Sequence, residues 1–176
     1  MKRNGEKQKG SLMIESIVAV SLVVIGLLGI IHFITQSTVT NREVRNKFIA
    51  TYLAAEGIEV VKNIIDTDIT LEGSFWNDTV GTSAFEQMYE VDYLTTKDDF
   101  ELNLLYSEDS ARALGFDPDT GTYGYGGPVE TPFKRILTVS ADGGGTFVSS
   151  KVMWIVHGED YEVRLEDIFT GWRSEG

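Results

Sequence analysis

The 176-residue chain is long enough for one compact domain with an appended helix and too short for two full-sized domains. It contains no cysteine, which excludes disulfides, Cys-ligated zinc and thiol catalysis. Its formal charge of −12 disfavours sequence-independent binding of nucleic acid, which depends on neutralising phosphates with Lys and Arg, so direct contact with nucleic acid is not expected.

The charge is unevenly split. The first ten residues, MKRNGEKQKG, carry Lys2, Arg3, Lys7 and Lys9 against Glu6, so the remainder holds 11 basic and 26 acidic residues, a net of −15. A basic leader precedes an acidic body. From Leu12 to Ile34 the sequence LMIESIVAVSLVVIGLLGIIHFI is dominantly apolar over 23 positions, and its only ionisable residues are Glu15 and His32. As a helix rising about 1.5 Å per residue it would reach roughly 35 Å, against a hydrocarbon core of about 30 Å, so it can span a bilayer. Four cations crowd its N-terminal flank, and the first on its C-terminal side is Arg42, eight residues beyond Ile34, which predicts a single-pass protein with a cytoplasmic N-terminus and an external body.

Three readings of this segment compete. A cleaved secretory signal needs a shorter apolar core and a small-x-small cleavage site, and HFITQST offers none. An ordinary signal anchor, giving an uncleaved membrane-tethered binding domain, explains length and flanks but not a carboxylate five residues after a glycine. The third reading uses those residues. KGSLMIES, Lys9 to Ser16, resembles the processing motif of type IV prepilins and of type II secretion pseudopilins.

The resemblance implies that a prepilin peptidase cuts between Gly10 and Ser11, that the new Ser11 amine is methylated, and that Glu15 becomes the fifth residue of the mature chain. Many members have phenylalanine where this chain has Ser11, and a proline where it has His32; Gly26 and Gly29 are the candidate sites of helix weakness instead. The implied partners are the peptidase-methyltransferase, membrane lipid before assembly, an inner-membrane assembly platform with an ATPase acting indirectly, and other pilin subunits. The implied destination is an extracellular filament. A pseudopilin of a secretion or DNA-uptake machine would share every N-terminal feature. The chemistry can be stated apart from the family. A carboxylate near a bilayer centre costs about 2.5–3.5 kcal/mol. Cleavage after Gly10 would supply a cation, the Ser11 amine, and pairing of one subunit's Glu15 with its neighbour's amine would select axial register, because an unpaired buried charge is penalised.

After Thr35 the helical pattern continues, now amphipathic. Ile49, Leu53, Val60 and Ile64, with Tyr52 and Val61 alongside, recur at spacings of three, four and seven and predict one buried face. Arg42, Arg45, Lys47 and Lys62 face elsewhere. Gly57, costly inside a helix, predicts close approach of a strand or a neighbouring helix. Glu56 and Glu59 are read as a solvated face or a subunit contact. ATYLAAEGIEVVKNIIDTD and the terminal LEDIFTGWR also resemble segments of minor-pilin-like proteins, with Trp172 expected to dock on the sheet.

Residues 66–99 read as a connecting region anchored by Phe75, Trp76, Phe85 and Tyr89. FELNLLY (Phe100 to Tyr106) reads as a first strand, residues 107–132 as a turn-rich excursion, and FKRILTVSA, SKVMWIVHG and YEVRLEDIF as three more strands, with Gly158, Glu159 and Asp160 forming a tight connection. A sheet of about four antiparallel strands packed on the helical stripe gives an α+β architecture. It coincides with the type IV pilin fold that the resemblance implies. The expected organisation is a leader at 1–10, a transmembrane and filament-core helix at 11–34, the amphipathic half of the helix at 35–66 and a globular head at 67–176.

Other sites are thin. DPDTGTYG, Asp117 to Gly124, opens like a calcium loop, with Asp117 and Asp119 as candidate ligands, but the later ligand positions fail and turn chemistry explains Asp, Pro and Gly equally well. No other cofactor is implied. GTYGYGG lacks the Lys-Ser/Thr that follows a phosphate loop. His32 and His157 fall in segments expected on opposite sides of the membrane interface, so no Ser-His-Asp grouping is expected, and the chain is read as a structural protein, not an enzyme.

Overall fold

The computed structural model describes residues 5–72, 86–96, 99, 103–142, 145–156 and 158–170. It is an α+β protein. One helix, α1, runs Gly5–Glu72, and seven strands form one sheet: β1 Gln87–Tyr89, β2 Leu104–Leu105, β3 Ala113–Asp117, β4 Thr122–Gly124, β5 Val129–Asp142, β6 Gly145–Val156 and β7 Glu159–Phe169. The chain divides into two compact units, Met1–Asn46 and Lys47–Gly176. The first consists, in its described part, of helix alone. The second contains the rest of α1 and the whole sheet.

Strand β5 organises the sheet. One of its edges is shared in succession by β3, near Val129 to Lys134, and β1, at Leu137 to Val139; its other edge pairs with β6 from Lys134 to Asp142. Strand β7 then pairs with β6 from Thr146↔Phe169 to Val156↔Glu159, and every pairing is antiparallel. Side chains alternate across a strand, so Phe133, Arg135, Leu137 and Val139 share one face with Val148, Ser150, Val152 and Trp154. That face meets α1. Ala50, Leu53 and Ala54 pack with Leu114, Phe133, Val152 and Trp154; Val61, Ile64 and Ile65 pack with Tyr89, Val91, Leu137, Val139 and Val148. Burying each of Leu53, Val61 and Ile64 contributes about 1.5–3 kcal/mol.

Three expectations are corrected. The sheet has seven strands, not about four: the span read as a turn-rich excursion holds β3 and β4, and the region read as a connection holds β1. Glycines drive that misreading, because they punctuate turns in sequence. Here a Cβ on Gly115 would lie 2.3 Å from the Gly127 carbonyl oxygen, so glycine is required by close packing of two backbones. The connection into β7 is shorter than read, since Val156 already pairs with Glu159 and Gly158, at φ +84°, makes the turn. The helical stripe is also rotated. Its fully buried members include Ala50, Ala54 and Gly57, while Tyr52 is 63% exposed.

The reading of Gly57 as a point of close approach is met directly. A Cβ there would sit 2.7 Å from Ser150 Oγ and 3.1 Å from Arg135 Cδ. Of the first predicted strand, Leu104–Leu105 is β2, and Phe100 to Leu102 lie outside the described residues, as do Phe75, Trp76, Phe85, His157 and Trp172.

Candidate functional site

The N-terminal stretch of α1 is continuous helix through Gly10, Ser11 and Glu15. Side chains are described from Leu12 onward. Glu15 is exposed, with Leu12, Met13, Ile14 and Ile17 around it each 62–68% exposed. Among the described residues it has no ion-pair partner. From Leu12 to Ile34 every large apolar side chain is between 48% and 74% exposed, on all sides of the helix. Nothing in the chain's own described structure covers them, and the helix is long and apolar enough to cross a membrane.

Hydroxyls in this stretch are internally satisfied. Ser16 Oγ donates to the Leu12 carbonyl at 2.8 Å, Ser21 Oγ to Ile17 at 2.7 Å and Thr35 Oγ1 to Ile31 at 3.0 Å, so none needs a solvent partner. Glu15 is the exception. Fifteen Leu, Ile, Val and Phe residues between Leu12 and Ile34, at about 0.3–0.6 kcal/mol each, favour insertion by about 4.5–9 kcal/mol. Against about 2.5–3.5 kcal/mol for one carboxylate, the segment's composition still favours lipid. It does so with Glu15 as its outstanding electrostatic cost. His32 is exposed on the same helix.

The Asp117 loop is a hairpin. Asp117 pairs with Thr122 at the ends of β3 and β4, the Gly121 N–H donates to the Asp117 carbonyl at 2.8 Å, and Gly121 takes the left-handed conformation at φ +74°. The Asp117 side chain accepts from the Asp119 N–H at 2.9 Å. That bond, with a further one from Thr120, holds its carboxyl below the usual carboxylate range. Asp117 and Asp119 are therefore neighbours in an Asx turn, and no group of three or more His, Asp or Glu side chains able to hold a metal occurs among the described residues.

Inside the head, polar groups tie the loops to the sheet. Arg135, 0% exposed, donates from Nε at 3.1 Å and from Nη2 to the Val91 carbonyl, and from Nη1 to the Leu53 carbonyl at 2.9 Å and to Glu56 Oε1 at 3.2 Å. One guanidinium thus joins helix, strand and loop. Glu56, read as solvated or intersubunit, is half of this pair, while Glu59 pairs with Lys62 at 3.4 Å. Buried Glu90 accepts from Arg112 Nε at 2.6 Å and from the Arg112 N–H, and the Arg112 guanidinium lies 4.4 Å above the Tyr125 ring. Burial, reinforced by the Glu90 carboxylate, pushes the Tyr125 phenol above its ordinary range.

Sequence reasoning missed the Arg135 and Glu90 ties. A signal for the first was present, because Arg135 takes the inward register between Phe133 and Leu137. These groups have the chemistry of structural ties, since each charge is already matched by a carboxylate or by carbonyls. No family model, curated protein or solved structure matches this chain.

Proposed function

We propose that the chain is a structural subunit of a type IV pilus-like filament, cut after Gly10 by a prepilin peptidase and assembled through its N-terminal helix. The observation that carries the reading is Glu15, a lone carboxylate in an apolar span, five residues after the last leader residue, Gly10. The exposed apolar surface of Leu12 to Ile34 supports it, because a helix apolar on every side needs lipid or other helices around it.

In this reading the helix first sits in the membrane with its basic leader inside. Cleavage removes four cations and creates the Ser11 amine. Extraction then exchanges lipid contact for helix-helix contact, and the Glu15 of an entering subunit pairs with the Ser11 amine of the subunit already in place. The pairing penalises every register that leaves the carboxylate unmatched. The subunit is a scaffold and carries out no reaction of its own.

Glu15→Ala tests the role assigned to the carboxylate. The variant is cleaved and inserted normally, and its incorporation into filaments falls at least tenfold in a quantitative pull-down. Wild-type incorporation of Glu15→Ala would remove the register function.

A further inference from the structure

Two surfaces of the second unit are complementary to one another. The first is the face of α1 turned away from the sheet. Ala50, Leu53, Ala54, Gly57 and Val61 define the buried side, and at 100° per residue Phe48, Tyr52 and Ala55 lie opposite. Phe48 and Tyr52 are 61% and 63% exposed and pack edge to face at 4.9 Å. Exposed Lys47 directly precedes Phe48 and lies about 100° from it around the helix, within reach of its long side chain.

The second surface lies on the opposite face of the sheet, where the loop at Glu108 meets the β6–β7 hairpin. A groove of about 830 Å³ is lined there by apolar Met153 and Ile155 and by four carboxylates, Glu108, Asp109, Asp160 and Glu162, against the ammoniums of Lys134 and Lys151. Lys151 is already spoken for, since its Nζ lies 2.6 Å from both Glu108 oxygens and 4.0 Å from Glu162. Ile155 is 62% exposed. The groove is therefore an apolar floor with an acidic rim, able to take an aromatic side chain with a cation next to it.

We infer that the occupant is a second copy of this chain, with the Phe48–Tyr52 ridge and Lys47 of one copy seated in the Ile155 groove against Asp160 and Glu162 of the next. The two surfaces are different, so the contact is head-to-tail. Such a contact repeats without closing and builds a filament, whereas a self-complementary patch would stop at a dimer. The inference deepens the filament reading and rests on it for its biological setting, while the contact itself does not involve the leader or Glu15.

The absence of native cysteine makes the test clean. Full-length chain carrying both Tyr52→Cys and Ile155→Cys is oxidised in the membranes of producing cells. A ladder of disulfide-linked dimers, trimers and higher species is expected from the double variant, with no species beyond a dimer from either single variant. In the same background, Lys47→Glu and Glu162→Lys each reduce the ladder at least fivefold, and combining them restores it to within twofold. All four positions are exposed, so folding is preserved. Monomer alone from the cysteine pair, or no recovery in the charge swap, overturns the inference. The N-terminal mass of the same sample separates the two claims: a chain beginning at Ser11 without a ladder defeats the docking and leaves the pilin reading standing. A ladder from a chain that keeps Met1 does the reverse.

Discussion

Two stretches of one helix, Leu12 to Ile34 and Ala50 to Ile65, show how apolar pattern decides environment. In the first, large apolar side chains surround the axis and all are at least 48% exposed. In the second, they form a stripe whose members Leu53, Val61 and Ile65 are at most 4% exposed, against a sheet supplied by the same chain. Glycine separates them further. A Cβ added to Gly26 or Gly29 would meet nothing within 4 Å, whereas at Gly57 that space is already taken by Ser150 and Arg135. The second stretch is completed within the chain, while no described residue covers the first.

The contrast is most vulnerable at Arg135. Arg135→Leu removes the only cation facing Glu56 among the described residues and leaves the Val91 and Leu53 carbonyls without their donor. Loss of about 3 kcal/mol is expected, read by denaturant melting of the full chain in detergent micelles. A change under about 0.5 kcal/mol would mean that surface-like plasticity extends into this junction. Gly57→Leu comes next, with about 1–3 kcal/mol lost to overpacking against Ser150 and Arg135. The same change at Gly26 meets open space and leaves the head's melting unmoved, while raising local helix propensity by under about 1 kcal/mol. Equal effects at the two glycines would erase the distinction between the stretches.

Much of this was legible in the sequence, for reasons that can be assigned. Helix α1 follows from an apolar run merging into a 3–4 periodic one. The long strands β5, β6 and β7 follow from alternation in residues such as Phe133, Arg135, Leu137 and Val139. What escaped was set by contacts distant in sequence. Ala50, Ala54 and Gly57 carry little hydrophobic signal, yet they lie on the helix line nearest the sheet because they are small. Gly115 sits in a strand that only the backbone of Gly127 explains. The Glu90–Arg112 pair spans 22 residues and has no local pattern to announce it. At the candidate processing site the situation is reversed. Gly10, Ser11 and Glu15 are informative as a motif, while their helical geometry alone assigns them no chemistry.

If the first stretch of α1 is an assembly element released by processing, and not a permanent anchor, the protein in cells must carry a new N-terminus. Intact mass and the N-terminal peptide, taken from cells with an active prepilin peptidase, read that end of the chain without reference to filaments or partners. The expected chain begins at Ser11, with Glu15 at its fifth position. A chain that begins at Met1 in those cells would contradict the proposed function.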